Sequence, residues 1–275
     1  MNCKFCQSLQ TAKYGIRRDI QYYVCRTCRR TFSGRIAPEG MRFSTATIGK
    51  SLGLFYAGSS LAAISRHFLV TEGIKIDPAT VWRWVIKYSK LGEKIMNQAK
   101  IKTSWRWVIN ETMIRIAETN VRILDIVDSK SGFLLATHPT LTHNKHSAMA
   151  ILLEARSHAI GNPEEIVSSG LRVFPAAIER VFGSQIIHIR AKGSATEINT
   201  NITERFQATV KERTKVIHRL KTMESAKIIS QGFIINYNFL QPYITTASKV
   251  PSVVAGLQLP FRTWLELINY LSKNV

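Results

Sequence analysis

Two hydrophobic rhythms divide the chain. Between residues 44 and about 92, apolar positions recur every three or four residues, which predicts helices. Two are expected at 44–57 and 59–69, parted near Gly58-Ser59-Ser60. A third should open at Asp77-Pro78, because Asp caps helix starts and Pro suits the first turn. It should end near Gly92, with Val81, Trp84, Val85 and Tyr88 on one face and Thr80, Arg83 and Lys87 on another. Beyond residue 104 the pattern becomes that of strands. Segments 105–116, 121–128 and 132–137 read as an antiparallel meander, with Ser131-Gly132 as a tight turn. A helix at 144–159, a strand at 164–169, a helix at 172–182, a strand at 185–190 and a long helix at 201–220 follow. The order β-β-β-α-β-α-β-α places this part in the α/β class.

The first 36 residues fit neither rhythm, and their apolar content is thin. They hold all four cysteines, Cys3, Cys6, Cys25 and Cys28, as two C-x2-C pairs. A two-residue spacing lets both thiolates of a pair reach one tetrahedral ion. So small a segment needs a metal staple, because its own core cannot offset the entropy of ordering it. A structural Zn2+ in a zinc ribbon over 1–36 is the expectation. The competing readings are two disulfides, which a reducing compartment disfavours, and redox pairs, which lack the usual βαβ setting.

Charge adds a partner. Lys plus Arg is 38 against 18 Asp plus Glu, a net +20. Residues 1–100 hold 17 basic and 5 acidic side chains, so most of the excess lies there. Such a balance points to a polyanion, nucleic acid before membrane. Arg17, Arg18, Arg26, Arg29 and Arg30 dress the cysteine segment, and guanidinium groups bind phosphate bidentately. The helices at 43–98 read as a helix-turn-helix unit whose last helix, through Thr80, Arg83 and Lys87, would enter a major groove. An ordinary three-helix bundle has the same periodicity. No stretch is long and apolar enough for a membrane span, and no targeting signal is evident, so a cytoplasmic, nucleoid-associated prokaryotic protein is expected.

Several motifs of the second half occur together: WVINET (107–112), VRILDIVD (121–128), VSSG (167–170), NITER (201–205), NYNFLQP (236–242) and PSVVAG (251–256). In this combination the chain resembles the DDE transposases of the insertion sequence six type. The resemblance implies a ribonuclease H-like domain over 104–247, preceded by the zinc ribbon and helix-turn-helix and followed by a helical tail at 248–275. It also implies double-stranded DNA as partner and a homodimer. The basic run after Glu204, with Arg205, Lys211, Arg213 and Lys215, would face DNA.

The family holds two divalent metal ions with two Asp and one Glu. The matching positions here are Asn110, Ser169 and Glu204, so only the Glu remains. Two-metal phosphoryl transfer needs carboxylates to hold both ions, so Mg2+ is not expected. The resulting expectation is a transposase-derived DNA-binding regulator or architectural factor without enzymatic activity. The alternatives are an insertion-sequence transposase performing DNA cleavage and strand transfer, and a scaffold that no longer binds DNA. Of the nearby acids, Glu111 should point to the opposite face of its strand. Asp125 and Asp128 lie on the second strand, where the family has an Asp that is not a ligand, and Glu197 precedes the last helix. His138, His143 and His146 read as a polar loop, His188 as a hydrogen-bonded strand residue, and the five tryptophans as core.

Overall fold

The computed structural model describes residues 1–17, 20–34, 41–116, 118–142, 144–168, 172–190, 222–242 and 249–274. Three strands come first: β1 (Thr11–Arg17), β2 (Ile20–Cys25) and β3 (Thr31–Ser33), paired antiparallel in that order. Their core is small. Cys3, Cys25 and Phe32 are buried, and Tyr23 stacks on Phe32 at 5.8 Å.

Three helices follow, α1 (Thr45–Tyr56), α2 (Leu61–Glu72) and α3 (Pro78–Gln98). Each has the cap its sequence provides. Ser44 Oγ accepts from Thr47 N–H, Ser60 Oγ from Ala63 N–H, and Asp77 Oδ1 from Ala79 N–H. Gly73, at φ +65°, ends α2 in the left-handed conformation that glycine tolerates. α3 is longer than the sequence pattern predicts, because Gly92 is a packing residue rather than a stop. A methyl group there would lie 2.9 Å from Ile235 Cγ1.

The second half is a five-stranded sheet. β5 (Arg106–Ile116), β6 (Thr119–Asp128) and β7 (Leu134–Thr140) form the expected meander, with Gly132 at φ +71° in its turn. Helix α4 (Lys145–His158) leads to β9 (Glu165–Ser168), and α5 (Val173–Phe182) to β10 (Ile187–Arg190). β9 joins β5 in parallel and β10 joins β9 in parallel, so the strand order is β10-β9-β5-β6-β7. That mixed order, with only β6 antiparallel to its neighbours, is the ribonuclease H-like topology. A two-residue pair, β4 (Ile101–Lys102) with β8 (Ala159–Ile160), ties the segment after α3 to the end of α4.

Helix α6 (Met223–Ile235) packs on α3 and β7, and runs into a π-helical turn at Asn236–Leu240. From that turn, the buried Asn238 amide pairs with the free edge of β7. Its Oδ1 accepts from Leu134 N–H at 2.9 Å and its Nδ2 donates to Leu134 O at 2.8 Å. A side chain thus replaces one rung of a missing strand. A short turn, α7 (Pro251–Val254), precedes α8 (Trp264–Asn274), which packs on α1. Trp264 stacks on Tyr56 at 5.2 Å and donates to Asn236 Oδ1. One apolar core therefore runs from Ile48 to Leu271. Trp84, Trp107 and Trp264 are buried in it, as expected, but Trp105 is exposed at the strand end with the Arg106 guanidinium over its ring. The long helix expected at 201–220 lies outside the described residues.

Candidate active-site face and metal cluster

The N-terminal cysteines converge. All four Sγ atoms lie within 4.8 Å of one another, with Cys3–Cys28 at 3.6 Å and Cys6–Cys25 at 3.5 Å. These separations exclude S–S bonds, which are about 2.05 Å long. They match the edges, about 3.8 Å, of a tetrahedron with 2.3 Å Zn–S bonds. Both pairs turn alike: Gln7 N–H donates to Cys3 O and Arg29 N–H to Cys25 O, and Gln7 and Arg29 both stand at φ +60°. Backbone donors also reach sulfur. Cys28 N–H points at Cys25 Sγ, and this bond, with others from Thr27 N–H and the Cys6 and Cys3 thiols, lowers the Cys25 thiol to about 6, toward the thiolate a metal needs, while its neighbour Cys6 is pushed up to about 12. The four cysteines can hold a zinc ion.

The basic residues divide by region. Arg17, Arg26, Arg29 and Arg30 are exposed around the cysteine unit, with Arg17 over the Tyr22 ring and Arg30 over Phe5. Arg83 and Lys87 are exposed on α3, and Arg83 Nη1 lies 3.4 Å from Thr80 Oγ1. Their face borders a groove of about 710 Å³, which Arg42 and Lys75 also line. Arg18, Ser169, Glu204, Arg205, Lys211, Arg213 and Lys215 lie outside the described residues.

Within the sheet, strand register sets which side chains meet. Asn110 pairs directly with Asp125 on β6, and Asp125 with Thr137 on β7. Side chains alternate between faces, so Asn110, Asp125 and Thr137 share one face. Trp107 points to the other, where it meets Phe182 of α5. Glu111 also points there, in an ion pair with Arg122. Asp128 is a clamp rather than a free carboxylate. Its Oδ1 accepts from Ser104 N–H and Oγ–H, and its Oδ2 from Ser131 N–H and Oγ–H, all within 2.8 Å.

Asp125 differs from these acids. It is fully buried, and among the described residues neither carboxylate oxygen has a hydrogen-bond partner. Burial pushes its pKa up to about 7; the nearby Thr137 hydroxyl lowers it a little, and Glu154 raises it. An uncommitted carboxylate beside the Asn110 carboxamide gives two hard oxygen donors, the donor type that Mg2+ or Mn2+ takes. The sequence reading placed Asp125 on β6 but did not put it opposite residue 110. The strand bounds expected from sequence, 105–116 and 121–128, leave four residues between them; the structure leaves two between Ile116 and Thr119, and that sets the register.

A second polar pocket of about 340 Å³ opens at the β7 edge, between Glu93 of α3, Glu154 and His158 of α4, His138, and Lys227 of α6. Burial raises the Glu154 pKa to about 7, opposed by a bond from Thr137 N–H and reinforced by Glu93. His188 is hydrogen-bonded, its Nε2 2.9 Å from Ser168 Oγ.

A family model described as a DDE domain, of the IS240 transposase type, matches residues 104–241. No curated protein matches significantly. Among solved structures, the HTLV-2 integrase catalytic core domain in complex with magnesium, in its trimeric form, aligns at 13% identity and a TM-score of 0.42, over 57% of this chain and 99% of that one. A simian T-cell lymphotropic virus intasome in complex with the PP2A regulatory subunit B56 gamma aligns at 15% and 0.42, over 77% and 76%. The BIV integrase catalytic core domain aligns at 12% and 0.41, over 55% and 93%. Overlaps this distant leave the assignment to the sequence match and the strand order. The match corrects one expectation. Asn110 and Ser169 suggested a protein without enzymatic activity, yet half the chain carries the domain of a DNA-transferring enzyme family, and a carboxylate does stand beside residue 110.

Proposed function

The chain belongs to the DDE transposase family, and on that premise we propose that it is an insertion-sequence type transposase that cleaves duplex DNA and transfers the cut strand. The observation that carries this reading is the DDE-domain match laid over a sheet of ribonuclease H-like order. In that class, bound divalent ions supply charge stabilisation for the attacking and leaving oxygens of phosphoryl transfer. The protein's own part is to hold DNA against the sheet face of Asn110 and Asp125, with Glu204 as the remaining family carboxylate.

Grip on DNA comes from the N-terminal half. The cysteine unit (1–36) is a zinc ribbon whose arginines contact phosphates. The helical module (43–98) is a helix-turn-helix that presents Thr80, Arg83 and Lys87. The DDE domain occupies 104–247, and the tail (248–275) braces the helical module. α3 supports this arrangement physically, since one end carries the basic face and the other packs on α6 beside the sheet. Contacts made at one end therefore orient the DNA for the other. Transposon ends come in pairs, which favours a homodimer acting at the prokaryotic nucleoid. Among the described residues, no helix is long and apolar enough to cross a membrane.

The test starts from the zinc-loaded full chain. Duplex ligands are selected from a random library at low salt, then incubated with Mg2+ or Mn2+ and examined for nicks and joined strands. Metal-dependent cleavage at a fixed position supports the reading. Absence of any duplex affinity, or binding without cleavage at stoichiometric protein, refutes it. Replacing Arg83 and Lys87 together with Ala should flatten the log K against log salt slope by about 2, at about 0.9 per phosphate contact.

A further inference from the structure

Residue 110 is where the family's first metal-binding aspartate would stand, and here it is Asn. We propose that Asp125 supplies that carboxylate instead, from the neighbouring strand, and that a divalent cation binds between β5 and β6 with the Asn110 carboxamide oxygen as a neutral second ligand. The inference rests on the transposase reading.

Geometry permits the exchange. Asn110 and Asp125 are a direct cross-strand pair on one face, so their Cβ atoms are about 4.5–5.5 Å apart. Moving the carboxylate from 110 to 125 displaces its anchor by about one strand spacing, 4.8 Å. Both side chains can lean toward a common point, and Mg2+ takes its ligands at about 2.0–2.1 Å.

Elimination singles out the same residue. Four acids lie on β5, on β6 and in the connection between them: Glu111, Glu118, Asp125 and Asp128. Glu111 is paired with Arg122, Glu118 with Arg115, and Asp128 accepts four hydrogen bonds. Of these four, only the Asp125 carboxylate has neither an ion pair nor a hydrogen bond among the described residues, with the Thr137 hydroxyl near it, and it shares the face of position 110. It is also the most costly to leave so, being fully buried with both oxygens lacking a hydrogen bond. No Lys or Arg among the described residues forms a salt bridge with it. A buried carboxylate is tolerated when protonated or when a cation neutralises it, and in this position a cation would have a chemical use.

Mn2+ binding to the zinc-loaded full chain tests the proposal, followed by loss of the free-ion electron paramagnetic resonance signal. Wild type should bind Mn2+ saturably in the millimolar range or tighter. Asp125→Asn, nearly isosteric and relieved of a buried charge, should fold and weaken binding at least tenfold. Asn110→Asp adds a second carboxylate across the pair and should tighten binding at least tenfold. Unchanged binding in either variant, or none in wild type at millimolar Mn2+, overturns the assignment. The two readings separate cleanly. Cleavage at wild-type rate by Asp125→Asn sinks this assignment and leaves the transposase reading intact. Normal, Asp125-dependent Mn2+ binding with DNA that is never cut does the reverse.

Discussion

Replacing Gly232 by Ala probes how the helical module is joined to the sheet. Gly232 lies where α6 packs on α3 near the last residue of α1, above a buried hydrogen bond between Tyr56 Oη and Ser89 Oγ at 2.6 Å. An added methyl carbon would overlap both of those oxygens and stand 2.7 Å from Tyr56 Cζ. Tyr56 and Ser89 are 2% and 0% exposed, so neither hydroxyl can swing to water. The variant must part the two hydroxyls, at about 1–3 kcal/mol, and move α6 away from α3, an overpacking cost of about 1–3 kcal/mol. Against that stands a helix-propensity gain of about 1 kcal/mol for Ala over Gly. Combined, these terms give a loss of about 1–5 kcal/mol. Urea unfolding of the full chain, followed by far-ultraviolet circular dichroism, measures it. Tyr56→Phe in the same chain removes one of the clashing oxygens, so the double variant should recover at least about 1 kcal/mol relative to additivity. A Gly232→Ala chain that unfolds at the wild-type urea concentration would show that the helices do not approach this closely.

Three further outcomes follow from the same contacts. Cys25→Ser should abolish the about one zinc per chain expected of a four-thiolate site, read by elemental analysis; undiminished zinc would refute that ligand set. Asn238→Ala strands Leu134 N–H and O at the buried β7 edge and should cost about 2–6 kcal/mol, for two lost partners at about 1–3 kcal/mol each; a loss under about 1 kcal/mol would mean the edge is satisfied otherwise. Glu154 has a folded-state pKa of about 7 against a usual 4.5. The folded chain therefore holds a proton that the unfolded chain has released, and this group costs stability progressively from pH 4.5 to 7 and fully above. Glu154→Gln should be neutral at pH 4 and stabilising at pH 8, by about 1–2 kcal/mol after allowance for partial exposure. Stabilisation equal at both values would show that ionisation is not the cause.

Local spacing alone carried much of this molecule. Two C-x2-C pairs predict converging thiols because a two-residue loop leaves sulfur little freedom, and the four Sγ atoms do converge. Asp77 marks a helix start in the sequence because a cap bonds only to its own first turn. The β-β-β-α-β-α-β order was legible from hydrophobic period, and with it the fold class. What a residue does for a distant segment was not. Gly92 looked like a helix end and is a contact for Ile235. Asn238 belonged to a motif, but its pairing with Leu134 spans 104 residues. The reading of Asn110 and Ser169 as a dead site followed from treating catalytic positions one at a time along the chain. Strand register, a property of two segments together, is what places the Asp125 carboxylate beside position 110. Sequence determines each strand's faces; only pairing determines which faces meet.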